Sequence, residues 1–185
     1  MNTELAGIII SFILTVILAY PLGKYISKVY GAEKSLLDFM NPVERFIFRI
    51  CGIDPHKEMN WKEFLKAMLT INMLWLVYAF FMFLYQAYLP LNPDGNPNMS
   101  PDLSFNTAIS FLVNCNLQDY SGESGVTYLT QLFVITFLQF VSAATGIACL
   151  VALFNGLKAK TTNNLGNFWN IFTKTITRIL LPISI

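Results

Sequence analysis

Three stretches of this chain are too long and too apolar to be folded away inside a small soluble domain. Leu5 to Gly23 runs 19 residues without a charge, Ala67 to Leu89 runs 23, and Val126 to Leu157 runs 32. About 20 apolar helical residues cross the hydrocarbon core of a bilayer, so each stretch is read as a transmembrane helix. At 1.5 Å per residue the third would be about 48 Å long, and it must tilt, kink or protrude. A fourth run begins near Ile171, and the sequence stops within it at "RILLPISI". A chain rarely stops mid-span, so a longer natural chain is expected. The first run has no basic residue before it and no small-x-small cleavage site after it, which favours a retained helix over a signal peptide. With 55% hydrophobic and 12% charged residues and a mean hydropathy of +0.53, the chain has too little charge to cover a soluble surface. A net charge of +1 gives no reason to expect nucleic acid. Cys51, Cys115 and Cys149 are odd in number and have no metal-ligand spacing, which argues against a disulfide scaffold.

The basic residues set the orientation. Eight of the twelve, Lys24 through Lys66, fall between the first two spans, and the other four are Lys158, Lys160, Lys174 and Arg178. By the positive-inside rule, residues 24–66 and 158–178 lie in the cytoplasm, and the N-terminus and residues 90–125 lie outside. Reporter fusions at residues 40 and 162 are expected to signal cytoplasm, and one at residue 96 the exterior. A cytoplasmic signal at 96 would overturn the orientation. Trp61 and Tyr88 stand near the ends of the second span as interfacial anchors. In the cytoplasmic stretch "NPVERFIFRICGID", Phe46, Ile47 and Ile50 share one helical face while Glu44, Arg45 and Arg49 spread over the rest. That pattern suits a short helix on the membrane surface or on a partner, and equally a solvated connector with one amphipathic turn.

The informative stretch lies outside. "YLPLNPDGNPNMSP" carries four prolines and a glycine and reads as a loop. After it, Asp102 or Ser104 is placed to cap a helix through "SFNTAISFLV", which is only about half a bilayer long. It then meets the polar run "NCNLQDY". A half-helix at membrane depth must be re-entrant, with its irregular backbone buried in protein or lining a water-filled vestibule. In potassium-channel-like proteins such an arrangement rings a desolvated cation with backbone carbonyls at the helix's negative end. On pattern alone, an amphipathic loop lying flat on the outer surface fits as well.

Longer motifs resemble those of a known family. "YPLG" at 20–23, "ERFIFR" at 44–49, "EMNWKEFLKAML" at 58–69, "YLPLNP" at 88–93, "LSFNTAISFLVNCN" at 103–116, "YSGE" at 120–123, "FVSAATGIA" at 140–148 and "NNLGNFW" at 163–169 are similar to the family of potassium-binding, channel-like A subunits of the Kdp potassium-transporting P-type ATPases. The resemblance implies an all-α polytopic membrane protein, in which an extra N-terminal helix precedes potassium-channel-like span–pore-loop–span repeats. Residues 1–25 would then be the extra helix, and 26–63 a cytoplasmic or interfacial segment. Residues 64–157 would be the first repeat, with spans at about 67–89 and 126–157 and its pore helix and filter strand at about 103–118. Residues 158–170 would be a cytoplasmic loop, and 171–185 the start of the next helix.

The family's first filter strand commonly reads V-T-N-T-N-W-Q-S-Y. This chain's "LVNCNLQDY" matches it at Asn114, Asn116, Gln118 and Tyr120, and departs at Val113, Cys115, Leu117 and Asp119. The resemblance implies that Val113, Asn114, Cys115, Asn116 and Gln118 bind the ion, mainly through backbone carbonyls. From charge alone, Asp119 and Glu123, with Asp94 and Asp102, make the outer face acidic, which suits a cation-attracting mouth and equally acids that lie there because bases are excluded. The metal would be transported K+ alone, with no cofactor. Backbone carbonyls survive the departures, whereas any role for a threonine hydroxyl does not. With no glycine in the strand, Asn114 and Asn116 are the residues expected to take left-handed φ. The Cys115 side chain is expected to point into supporting protein. "SAATG", Ser142 to Gly146, would let helices approach closely, as in ordinary membrane packing too.

The implied partners are the catalytic B subunit, which is the P-type ATPase itself, the C subunit, and the small membrane F subunit. All would lie in or on the phospholipid bilayer of a bacterial or archaeal cytoplasmic (inner) membrane. This chain carries neither a Gly-rich phosphate loop nor "DKTGT", so ATP hydrolysis falls to the partner and the chain by itself is not an enzyme. The alternative within the class is a potassium channel or transporter not coupled to a P-type ATPase. An intramembrane enzyme would need acids, bases or metal ligands within the spans, which are expected to hold no charged residue.

Overall fold

The computed structural model describes residues 3–31, 37–158 and 164–185. Among them there are helices and no strand, apart from an isolated antiparallel bridge between Asn60 and Asn164. Three helices are long and apolar enough to cross a membrane, and the chain is an all-α membrane protein.

Helix α1 spans Thr3–Tyr30, with Glu4 in its first turn and Lys28 in its last, each complementing the helix dipole. Its apolar stretch is not covered by any described residue. A 3-10 turn, Asp38–Met40, leads into α2, Asn41–Cys51, which stops where Gly52 turns left-handed at φ 63°. Helix α3, Trp61–Leu84, starts in a capping box. The Asn60 side chain accepts from the amides of Lys62 and Glu63 at 2.9 and 3.1 Å, and Glu63 accepts from the Asn60 amide at 3.0 Å. The helix therefore begins six residues before the uncharged run and ends before Leu89, where a 3-10 turn, Gln86–Tyr88, meets Pro90. An uncharged run measures hydrocarbon depth, whereas caps and prolines decide where a helix stops.

Helix α4, Pro101–Leu112, is the half-helix: 12 residues, or about 18 Å. Its cap is Ser100, whose hydroxyl accepts from the Leu103 amide, rather than Asp102 or Ser104. Pro101 explains the shift, since proline suits the first helical position and leaves the preceding residue extended. Ser104, Thr107, Ala108 and Phe111 form its buried stripe, at the spacing that keeps side chains on one helical face. Helix α5, Tyr128–Lys158, is the long third span. It contains a π-helical segment, Gln131–Thr136, and then sets Ala144, Ala148 and Ala152 in a buried row four residues apart. Ser142 and Ala144 of "SAATG" are buried in this packing. Helix α6 covers residues 168–184, again with a π-helical segment, Thr175–Leu180.

The core lies where α3, α4, α5 and the start of α6 meet. Phe64 packs edge-on against Phe168 at 5.3 Å between ring centres, and Trp75 against Phe137 at 4.8 Å. Phe83 and Phe111 are fully enclosed. In lipid the hydrophobic effect does not drive helices together, so close packing and hydrogen bonds carry more of the stability.

One buried cluster ties the start of α6 to α2. Lys174 and Arg178 lie within α6, and Arg178 is almost fully buried, about 15 Å along the helix from Phe168. Its Nε and Nη2 donate to the two oxygens of Glu44 at 2.6 Å each. Its Nη1 donates to Asp38 at 2.9 Å and its Nη2 also to Asn41 at 2.6 Å, while the Thr177 hydroxyl donates to Glu44 at 2.7 Å. A buried charge is tolerated when paired and hydrogen-bonded in this way. The face of α2 that turns inward is therefore Glu44 and Phe48, whereas Phe46 and Ile50 are exposed. Tyr25 donates to the Arg178 carbonyl, and the hydroxyls of Tyr30 and Thr175 pair at 2.6 Å, tying α1 to the same place.

Candidate functional site

The segment after α4 is built on the last turn of that helix. The amide of Val113 still donates to Ile109 O at 3.0 Å, and that of Asn114 to Phe111 O at 3.3 Å. The amides of Cys115 and Asn116 both reach Ser110 O, at 2.9 and 3.3 Å. The Leu117 amide reaches the Ser110 hydroxyl oxygen at 2.7 Å. Four consecutive N–H groups, those of residues 114–117, thus point at the C-terminal end of α4.

Peptide planarity converts this into a statement about oxygens. No peptide here is cis, and in a trans peptide the C=O points opposite to the N–H of the next residue. The carbonyls of Val113, Asn114, Cys115 and Asn116 therefore all face away from α4. An ordinary extended strand would send successive carbonyls to alternate sides. The strand avoids that alternation because Asn114 and Asn116 are left-handed, at φ 60° and 54°. Asparagine tolerates that region better than most residues, and these are the two positions where sequence reasoning put it. Leu117 breaks the row: its carbonyl accepts from the Ser110 hydroxyl at 2.9 Å and so turns back toward the helix.

Residues 113–119 are exposed along this rim. Cys115 is among them, and none of the described residues covers it. The four amide bonds to α4 occupy the supporting side and leave that side chain on the open face. Gln118 lies past the row, its amide 3.5 Å from the Tyr120 hydroxyl, and Asp119 and Glu123 follow in exposed loop. Asp102, at the start of α4, is held below the usual carboxylate range by the Ser100 side chain and the amides of residues 102 and 103, so it stays charged. Beside Val113 and Asn114 a cleft of about 710 Å³ opens, lined from α3 by Asn72 and from α5 by Ser142, Thr145 and Gly146.

Two positions that sequence reasoning missed hold the surroundings. Gln86 is fully buried; its Nε2 donates to Pro97 O at 2.7 Å and Gly125 O at 2.8 Å, and its Oε1 accepts from the Thr130 hydroxyl at 3.2 Å. With Asn96 donating to Val126 O at 2.9 Å, it ties the proline-rich loop to the segment that returns to α5. The only signal was one polar residue at the end of an apolar run. Ser110 is the other, and its signal was a hydroxyl in the final turn of a half-helix.

Residues 9–185 match the family model described as the potassium-transporting ATPase A subunit. The chain is 62% identical over 185 residues to the "Potassium-transporting ATPase potassium-binding subunit" of Flavobacterium johnsoniae, covering all of this chain and 32% of that protein. It is 57% identical over 185 residues to the protein of that name from Bacteroides thetaiotaomicron, again along its whole length and over 33% of the relative. The Alicyclobacillus acidocaldarius protein of that name is 46% identical over 184 residues, covering 97% of this chain and 33% of that one. The chain spans about a third of the length of the curated relatives it matches.

Proposed function

The chain belongs to the family of the potassium-transporting ATPase A subunit, and from that premise we propose that it supplies one wall of a potassium-selective site in an ATP-driven uptake complex. Potassium would enter from outside the cytoplasmic (inner) membrane, with residues 90–125 on the outer side and residues 24–66 and 158–178 inside. Its water would be replaced by the carbonyl oxygens of residues 113–116, and the ion would pass to a partner P-type ATPase that hydrolyses ATP. The chain itself would contribute no catalytic group. The B subunit would be that catalytic partner, with the C and F subunits completing the complex.

The observation that carries this reading is the row of four carbonyls, Val113 to Asn116, at the C-terminal end of a half-helix. Potassium is a hard cation that prefers oxygen ligands. Carbonyls fixed by backbone bonds, close to the negative end of a helix dipole, stabilise it without reorganising. Asp119 and Glu123, with Asp94 and Asp102, would raise the local cation concentration at the mouth. The cleft beside Asn114 offers polar side chains where a partly rehydrated ion would pause.

The test is a purified complex containing the full-length protein. It is expected to co-purify with a large ATPase chain, and its ATP hydrolysis is expected to rise with potassium at concentrations where sodium has no effect. Potassium-selective flux through the full-length protein alone, with no ATPase chain bound and no nucleotide present, would favour the uncoupled channel instead.

A further inference from the structure

We propose that the Ser110 hydroxyl fixes the outer end of the carbonyl row at Asn116, which makes Ser110 a positioning residue for ion discrimination. The inference rests on the reading that residues 113–116 line the ion's path.

Ser110 makes two separable sets of contacts. Through its backbone carbonyl it accepts from the amides of Cys115 and Asn116, and any residue at position 110 would do the same. Through its side chain it clasps a single residue from both ends. The hydroxyl oxygen accepts from the Leu117 amide at 2.7 Å, and its proton goes to the Leu117 carbonyl at 2.9 Å. The first bond aims the Asn116 carbonyl outward with the three before it. The second pulls the Leu117 carbonyl out of line. One hydroxyl therefore holds the last oxygen of the row in place and withdraws the one that would have followed.

The Ser110 side chain is buried while Leu117 is exposed. Among the described residues the Ser110 hydroxyl is the group that holds the Leu117 backbone, so without it both polar groups of Leu117 would face the ion's side or water. Residue 117 is not left-handed, so the left-handed pattern that aligns the row ends at Asn116, and the Ser110 hydroxyl fixes the side to which the Leu117 carbonyl turns. Asn116, in the left-handed region, is the hinge about which the freed segment would turn. A loosened outer carbonyl adapts to the smaller sodium ion as readily as to potassium, so discrimination is expected to fall further than affinity.

The experiment uses the full-length protein in its assembled complex and measures ATPase stimulation by potassium and by sodium. Ser110→Ala removes both bonds to Leu117 and is expected to narrow the potassium-over-sodium ratio of half-stimulating concentrations roughly tenfold, about the net worth of one buried hydrogen bond. Ser110→Thr, which keeps the hydroxyl, is expected to restore the ratio to within about threefold of the parent. Ser110→Cys keeps the shape with a weak donor and acceptor, and it is expected to follow alanine. If the alanine complex does not assemble, the cysteine variant decides. A ratio in Ser110→Cys equal to that of the parent, or failure of the cysteine complex to assemble, would overturn the proposal. Potassium stimulation of the unsubstituted complex separates the two levels. Its absence sinks the reading of the site, whereas its presence with unchanged Ser110 variants sinks only this inference.

Discussion

Substituting Gln118→Arg in the full complex is expected to raise the potassium concentration needed for half-maximal uptake about a hundredfold. Gln118 follows the carbonyl row by two residues and is exposed. If the proposed ion path is right, a guanidinium there sets a permanent positive charge at the entrance of a site for cations. Two unit charges about 6 Å apart at an effective dielectric near 20 repel by about 3 kcal/mol, which corresponds to about a hundredfold in affinity. Cys115→Ser is the matched control. It lies inside the row, but its contribution is a carbonyl, and serine keeps that carbonyl while exchanging an exposed thiol for a hydroxyl. Uptake at limiting potassium is expected to stay within about twofold. If both variants take up potassium like the parent, residues 113–118 do not border the ion's path.

The second large effect is expected far from the strand. Arg178→Ala leaves the buried Glu44 carboxylate with the Thr177 hydroxyl but without a counter-charge, which costs about 3–5 kcal/mol, and Glu44→Ala is expected to cost less because Arg178 keeps Asp38 and Asn41. The double replacement Glu44→Leu with Arg178→Leu is expected to cost much less than the sum, because neither charge is then stranded. Thermal unfolding of the detergent-purified complex measures both, and single variants that melt like the parent would show that the pair contributes nothing. Acid provides an independent check. Burial opposes the charged form of Glu44, but hydrogen bonds from Arg178 and Thr177 outweigh it and hold the carboxyl below its ordinary range. A lowered folded-state value gives stability that is present above the unfolded carboxylate pKa and is lost as pH falls through the folded one. The melting temperature is therefore expected to be insensitive to this group's titration well above the carboxylate range and to fall on acidification. Glu44→Gln is expected to reduce that acid dependence.

What the chain's letters disclosed, and what they hid, follows from the range of the forces involved. Uncharged runs, a half-length apolar segment and clustered prolines are local quantities, so the three spans and α4 were legible. The left-handed residues were legible for the same reason: a strand without glycine that must align its carbonyls has Asn114 and Asn116 as its best positions. Helix limits were less so, because Asn60 and Ser100 act through geometry that neighbouring polar residues could equally have supplied. The long-range pairs were invisible. Glu44 on an amphipathic stretch reads as a solvated carboxylate, and Arg178 reads as a cytoplasmic base near a loop. Only the fold shows that each is the reason the other can be buried. Gln86 and Ser110 were missed likewise, since an isolated polar residue in an apolar run does not announce which backbone it will satisfy.

The Glu44–Arg178 pair also has a consequence in time. Its two members are 134 residues apart in the chain, and everything from α3 to α5 is made between them. At roughly 5–20 residues per second, a ribosome delivers Arg178 on the order of ten seconds after Glu44. Through that interval Glu44 lacks the guanidinium that it pairs with in the folded chain. The Glu44–Arg178 contact can form only once the start of α6 has been made. The contact that ties α2 to α6 in the folded chain is thus one of the last that a growing chain can make.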